Sequence, residues 1–283
     1  MKPRPIPRLR PRVQRKFHTS QRHNYQPLKT LENDTLSTFQ KQCFEPEQPA
    51  LLPRGTFTSL PAITQWFKSP TLNTSYLRTH GRDAIVPLEL TTTEEPSFRA
   101  FHAPFSLFLD WIDTPTPLTL YLAQCQLLDL PPILRADFPT PLLVSRAGKG
   151  DVYDTNVWIG HPPTYTPLHR DPNPNLFVQM AGEKVVRLLG PREGQAVFAE
   201  VRGRLGKRGD SAAAAFRGEE MMQGRERALL DEMVWGGASG GFEARLAAGD
   251  GLFIPKGWWH SIKGVGEGVT GSVSSFFWFI GQC

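Results

Sequence analysis

Hydrophobic and polar residues alternate in short runs along the chain, and the pattern predicts elements of both types in its first half. Pro61 to Phe67 and Phe105 to Ile112 have the apolar spacing of amphipathic helices, whereas Ala84 to Thr91 alternates as a strand does. Ala50 to Pro53 is typical of a short first strand. Leu118 to Leu128 fits a helix and a strand equally well.

From Asn156 onward, short strands separated by Pro and Gly dominate. The predicted strands are Val157–Gly160, Leu176–Met180, Lys184–Leu189, Phe242–Leu246, Gly251–Ile254 and Val269–Phe279. Strands at this spacing are typical of a sandwich or barrel, so we expect a mostly β fold with flanking helices. Residues 192–241 are rich in Gly, Ala and charge, with a helical pattern over 218–235, and we interpret them as an insertion on the barrel.

The length and composition favour one folded domain after a polar beginning. A chain of 283 residues with 40% hydrophobic residues can bury a substantial core. We place the domain at residues 49–283 and interpret residues 21–48 as an irregular linker. The sequence has no run near the roughly 18 apolar residues that a membrane-spanning helix needs, so we expect no membrane association.

The positive charge is concentrated at the start of the chain. Residues 1–31 hold nine of the 32 Lys and Arg and no acid, so the remainder has 23 basic and 27 acidic residues. The folded part therefore offers no electrostatic footprint for a nucleic-acid backbone. Residues 1–20 resemble a mitochondrial presequence, which predicts the matrix as location. A disordered basic tail and a nuclear localisation patch are the alternatives, and these would leave the protein in the cytoplasm or the nucleus.

Two short motifs suggest a metal site. In an extended segment residues i and i+2 share a face, so His169 and Asp171 of the run Thr166 to Asp171 can bind one ion together. His260 follows a strand and turn 91 residues after His169. A His-x-Asp pair also arises by chance, but two histidines and a carboxylate are the ligand set of non-haem iron(II) oxygenases.

The segments Thr166–Lys184 and Gly249–Phe277 resemble the JmjC oxygenases of the cupin-like hydroxylase subgroup, which includes factor inhibiting HIF. The run Tyr121 to Gln124, followed by Leu130 to Leu134, is similar to a segment that this subgroup carries before its barrel. The resemblance implies a double-stranded β-helix, or jelly-roll, core. It also implies an enzyme that binds Fe(II) through His169, Asp171 and His260 and consumes 2-oxoglutarate and O₂.

The same resemblance assigns residues to the cosubstrate. Lys184, 15 residues after His169, stands where this subgroup places the lysine that pairs with the distal carboxylate of 2-oxoglutarate. Four further positions match residues that contact the cosubstrate or face the metal side: Tyr121, Thr166, Asn175 and Ser274. Ser275 is the alternative to Ser274, because a one-residue slip exchanges the faces of a strand. Without the resemblance, each of these side chains also fits an ordinary structural role.

Three tryptophans are candidates for the substrate pocket. We expect Trp258 and Trp259 to wall the site and exclude water, and Trp158 to contribute to substrate binding. Large core aromatics are the alternative interpretation.

Several functions remain open at the level of the sequence. The Asp at the second ligand position and the spacing to Lys184 resemble the protein and tRNA hydroxylases of the family more than its histone demethylases, and the net negative charge outside residues 1–31 makes tRNA the less suitable substrate. We therefore expect hydroxylation of a protein side chain, with tRNA and a methylated lysine as the alternative substrates. A cupin that serves only as a binding or scaffold protein is a second hypothesis, which the complete ligand set disfavours. A redox-inert metal cupin such as an isomerase is the third, although such sites usually hold more histidines.

Overall fold

Two β-sheets enclose a cavity in the computed structural model, which describes residues 25–92, 98–114, 118–207, 219–237 and 239–277. The strands are β1 (Tyr25–Pro27), β2 (Ala50–Leu51), β3 (Phe67–Lys68), β4 (Thr71–Leu72), β5 (Ile85–Thr92), β6 (Phe98–Pro104), β7 (Leu118–Gln126), β8 (Val152–Gly160), β9 (Tyr165–Arg170), β10 (Asn175–Ala181), β11 (Glu183–Leu189), β12 (Gly241–Leu246), β13 (Gly251–Ile254), β14 (Trp259–Val265) and β15 (Thr270–Phe277). The α-helices are α1 (Leu36–Phe39), α2 (Pro61–Trp66), α3 (Thr74–Gly81), α4 (Phe105–Ile112), α5 (Pro132–Ala136), α6 (Leu142–Ala147), α7 (Pro191–Arg204) and α8 (Gly224–Trp235).

Strands β8 to β15 form the jelly-roll core. Successive strands lie in opposite sheets, except that β11 and β12 are neighbours in one sheet, which gives the orders β13-β10-β15-β8 and β12-β11-β14-β9. The first sheet continues through β7, β5 and β6 and ends at β2 on its other edge, while β1 extends the second sheet. The predicted mostly β, cupin-type fold with flanking helices is confirmed.

The predicted helices and strands correspond closely to the observed ones because their apolar residues face the core. Helix α4 buries Phe105, Phe108, Leu109 and Ile112 on one face, as its spacing predicts. The ambiguous segment from Leu118 is strand β7, followed by one 3₁₀ turn at Leu127–Asp129. Antiparallel pairing with β5 and β8 therefore decides a case that local pattern leaves open.

Residues 25–48 correct the predicted linker. Strand β1 pairs in parallel with β12, and Phe39, Cys43 and Phe44 are buried in the main hydrophobic cluster. The ring of Phe39 meets that of Phe253 at 5.0 Å between centroids. Phe39, Cys43 and Phe44 lie on one short helical segment, and the surrounding sequence is too polar for its pattern to predict this element. The folded unit therefore includes residues 25–48, and residues 1–20 lie outside the described residues.

The predicted insertion over 192–241 corresponds to helices α7 and α8 between β11 and β12, which pack on the outer face of the smaller sheet. Phe198 of α7 meets Trp259 of β14 at 5.0 Å between ring centroids. Gly194 lies so close to Trp259 that a Cβ atom there would stand 2.1 Å from the indole. These two helices are thus part of the packed structure.

Among the described helices, none combines the length and apolar character that crossing a membrane requires.

Candidate metal centre

The three predicted metal ligands lie together where β9 and β14 run side by side. His169 of β9 and His260 of β14 are direct cross-strand partners, and Asp171 follows the end of β9. Because residues i and i+2 share a face of an extended segment, the Asp171 carboxylate lies on the same side as the two imidazoles. One ligand atom from each residue lies within 4.8 Å of the other two.

The distances leave room for one ion among these atoms. His169 Nε2 lies 3.9 Å from Asp171 Oδ1, and His260 Nε2 lies 3.5 Å from Asp171 Oδ2. Both histidines are buried. Two imidazole nitrogens and one carboxylate on one side of an ion leave further coordination positions open, an arrangement suited to non-haem iron(II).

Backbone carbonyls orient both histidines as ligands. The Nδ1 atom of His169 lies 2.9 Å from the carbonyl oxygen of Pro167, and that of His260 lies 3.4 Å from the carbonyl of Trp258. A carbonyl only accepts hydrogen bonds, so Nδ1 carries the proton and Nε2 presents its lone pair towards Asp171. This hydrogen bonding behind the ligands is typical of protein metal sites, and the residues therefore fit a divalent metal.

Asp171 is held in a poorly solvated position. Burial raises the pKa of its carboxyl, and a hydrogen bond from Asn175 Nδ2 at 3.1 Å acts in the opposite direction. A bound cation would stabilise the ionised carboxylate in the same way and more strongly.

Lys184 of β11 points into the same cavity from its far end. Its Nζ atom donates to Ser272 Oγ at 2.6 Å and to the Tyr121 hydroxyl at 3.4 Å, and only 2% of the residue is exposed. In the part of the chain that the structure describes, no carboxylate pairs with Lys184. Burial lowers the pKa of this ammonium to about 7. A buried cation with neutral partners is costly, and an anionic ligand would remove that cost.

The other predicted cosubstrate residues also line this cavity: Tyr121, Thr166, Asn175 and Ser274. Asn175 Nδ2 donates to Ser274 Oγ at 3.2 Å as well as to Asp171, which links the last strand to the metal ligands. Ser275 is buried outside the cavity lining, so the register places Ser274 on the metal side.

The structure contradicts the placement expected for two tryptophans. Trp158 lines the cavity, but Trp258 and Trp259 do not. Strand alternation explains Trp259, because His260 points inward and its neighbour must point outward, towards α7. Trp258 packs in a separate cluster and donates from Nε1 to the carbonyl of Glu47 at 3.0 Å. Both are core aromatics.

Sequence reasoning missed six residues that line the cavity: Gln124, Asn156, Phe177, Ile262, Ser272 and Phe276. Ser272 and Phe276 could have been found, since each is two residues from Ser274 on one strand. Gln124 could not, because it reaches the cavity through an irregularity between β7 and β8 where its φ is 54°.

The fold and the site define a cupin-fold protein with a candidate metal site of two histidines and one carboxylate. The chain belongs to the cupin-like domain family, whose model matches residues 36–282. The predicted family relationship is confirmed, whereas the closer likeness to factor inhibiting HIF stays a prediction.

Curated relatives agree with this assignment. The chain is 27% identical over 256 residues to "Jumonji C domain-containing protein 5" of Drosophila melanogaster, covering 88% of this chain and 59% of that protein. It is 29% identical over 256 residues to "Lysine-specific demethylase 8" of Danio rerio, with 87% and 56% covered. It is 26% identical over 249 residues to "Lysine-specific demethylase JMJ30" of Arabidopsis thaliana, with 87% and 53% covered. The chain thus spans a little over half the length of these relatives.

Proposed function

We propose that this protein is an iron(II)- and 2-oxoglutarate-dependent oxygenase that hydroxylates a side chain of a protein substrate. One observation carries the proposal: a single cavity holds a two-histidine, one-carboxylate cluster and a buried lysine that has only neutral hydrogen-bond partners. A metal and a dianionic cosubstrate would together satisfy both features.

Each end of the cavity has a separate task. His169, Asp171 and His260 would hold the metal, which when bound supplies the activation of O₂ and the oxidation of a C–H bond. Lys184 would pair with the distal carboxylate of 2-oxoglutarate, and the Ser272 and Tyr121 hydroxyls orient its ammonium group. No side chain has to act as a general base.

A protein substrate is favoured by charge. Outside the first 31 residues acids outnumber bases by 27 to 23, which makes a tRNA substrate less suitable. A scaffold role would give no reason to bury Lys184 without a carboxylate. Demethylation of a methylated lysine is the second candidate, because relatives from Danio rerio and Arabidopsis thaliana carry the name lysine-specific demethylase.

The test is succinate formation by anaerobically purified protein given iron(II), 2-oxoglutarate and then oxygen. We expect slow turnover without substrate in the wild type, loss of turnover in His169→Ala and strong impairment in Lys184→Met. Lys263→Met is the matched control, since Lys263 lies on β14 in the same sheet but outside this cavity. Absence of turnover, metal binding and 2-oxoglutarate binding in the wild type would refute the proposal.

Hydroxylation and demethylation differ in product. Oxidation of an N-methyl C–H bond gives an N-hydroxymethyl group that breaks down to formaldehyde and the free amine, whereas hydroxylation of a carbon chain leaves one added oxygen on the substrate. Mass spectrometry of the substrate and a formaldehyde assay on the same reaction separate the two candidates.

A further inference from the structure

Asn156 of β8 lines the cavity with the metal ligands, and the proposed function gives it no task. Only 7% of the residue is exposed, and its Oδ1 atom is buried with no hydrogen-bond partner among the residues that the structure describes. Buried acceptors in native proteins almost always have a partner, so an orphan in a ligand cavity points to a donor that arrives with a ligand.

The orientation of the Asn156 amide follows from its neighbour. The Nδ2 atom donates to Asp154 Oδ2 at 2.7 Å. An ionised carboxylate only accepts hydrogen bonds, so the amide nitrogen must face Asp154 and the oxygen must face away from it. The same hydrogen bond polarises the amide and makes Oδ1 a better acceptor.

Strand register sets the depth of Asn156 in the cavity. Along the antiparallel pair of β8 and β15, Trp158 lies opposite Ser272, Asn156 opposite Ser274 and Asp154 opposite Phe276. Ser272 accepts a hydrogen bond from Lys184. Ser274 accepts one from Asn175 Nδ2, which also donates to the metal ligand Asp171. Asn156 is therefore level with the metal ligands, and Trp158 is level with the lysine.

The acceptor character of Oδ1 excludes the cosubstrate as its partner. Both ends of 2-oxoglutarate are ionised carboxylates near neutral pH, and an amide oxygen cannot bond to either. A substrate that carries an N–H group can supply the missing donor. Trp158 and Phe276 line the cavity on either side of Asn156 along the strands and offer apolar walls to the aliphatic part of the same side chain.

We propose that Asn156 is a substrate-positioning residue, whose side-chain carbonyl accepts a hydrogen bond from an N–H group of the side chain to be oxidised. The substrate class is a side chain that ends in such a donor, namely an amide, an ammonium or a guanidinium group. This inference rests on the proposed function, since it assumes that the cavity binds a metal and 2-oxoglutarate.

The experiment replaces iron with Mn(II), keeps oxygen out and adds small probes at millimolar concentration with 2-oxoglutarate present. Butyramide and n-butylguanidinium carry N–H groups, whereas N,N-dimethylbutyramide has none. Paramagnetic broadening of the probe signals in NMR spectra reports binding beside the metal. We compare the wild type with Asn156→Leu, Asn156→Ala and Ser275→Ala. Ser275 is the matched control because its hydroxyl is also buried without a partner but lies outside the cavity lining.

We expect the wild type and Ser275→Ala to broaden the two N–H probes about tenfold more than the dimethyl probe, and both Asn156 variants to lose this preference. Binding of Mn(II) and 2-oxoglutarate should be unchanged, which also shows that the variants fold. Equal broadening of all probes in the wild type, or a preference that persists in both variants, would overturn the inference.

Loss of Mn(II) or 2-oxoglutarate binding would have a different meaning in the variants and in the wild type. Weaker binding of 2-oxoglutarate or Mn(II) in a folded Asn156 variant would assign the residue to the metal or its water and overturn the positioning role. Failure of the wild type to bind Mn(II) and 2-oxoglutarate would instead refute the proposed function, and this inference with it.

Discussion

Replacing Lys184 by Met tests the cosubstrate site through stability as well as binding. Burial lowers the pKa of this ammonium from 10.5 to about 7, a shift that corresponds to at most about 5 kcal/mol. Below about pH 7 the lysine is charged in both the folded and the unfolded state, and the folded state bears the whole cost. Between pH 7 and 10.5 only the unfolded state is protonated, so the cost declines as pH rises and vanishes near 10.5.

Without ligands, Lys184→Met should therefore be more stable than the wild type, by roughly 1–4 kcal/mol at pH 6 and by progressively less at higher pH. The gain stays below the full cost because the Ser272 hydroxyl loses its 2.6 Å partner. With 2-oxoglutarate bound, the wild type should be the more stable of the two proteins. Loss of one partner of a buried ion pair costs about 2–5 kcal/mol, which weakens binding roughly 30-fold to several thousand-fold.

The assay combines chemical denaturation from pH 6 to 10 with calorimetric titration of 2-oxoglutarate into the Mn(II) form. Lys263→Met, on the neighbouring strand, should change neither the cosubstrate affinity nor the pH trend. A Lys184→Met protein that is less stable than the wild type at pH 6, or that binds 2-oxoglutarate equally well, would refute the assignment of Lys184 as a buried, unneutralised cation.

Three further predictions concern pH, the packing of α7 and the start of the fold. With metal saturating, 2-oxoglutarate affinity of the wild type should fall by up to about tenfold per unit as pH rises above about 7, because Lys184 must then take up a proton; Lys184→Met should lack this dependence. Gly194→Ala should lower the free energy of unfolding by about 2–3 kcal/mol because the alanine methyl would overlap Trp259. Gly203→Ala on the same helix, with open space around it, should have little effect. Phe39→Ala should cost about 3–5 kcal/mol in the free energy of unfolding, since Phe39 is fully buried.

Each of these has a clear contrary result. A flat pH profile for the wild type would mean that the lysine stays charged without the cosubstrate. Equal unfolding midpoints for the two glycine variants would contradict the close contact between α7 and β14. A Phe39→Ala variant as stable as the wild type would mean that residues 25–48 are a linker and contribute little to the folded unit.

The local sequence pattern was enough to predict most elements of the jelly roll. Short apolar runs bounded by Pro and Gly are a local property of the chain, and they predict β10, β11, β12 and β13 to within a residue at each end. The spacing of His169 and Asp171 sufficed to place two ligands on one face, because the period of a strand is independent of what surrounds it. A second motif, a strand and turn that end in a histidine, suggests His260 as the third ligand, whereas the role of Lys184 depends on resemblance to a family.

Only the tertiary structure decided the contacts between segments distant in the chain. Residues 25–48 have a fixed place because β12 and the Phe253 region offer them partners, and their own mostly polar sequence gives too weak a pattern to predict it. Trp259 leaves the site because it is next to the inward-facing His260 on the strand, and Trp258 leaves it because it precedes β14 and packs in a separate cluster. The orphaned carbonyl of Asn156 exists only once β8 lies beside β15 and Asp154 has fixed its amide. Hydrogen-bond satisfaction is a property of the folded arrangement, and no local pattern encodes it.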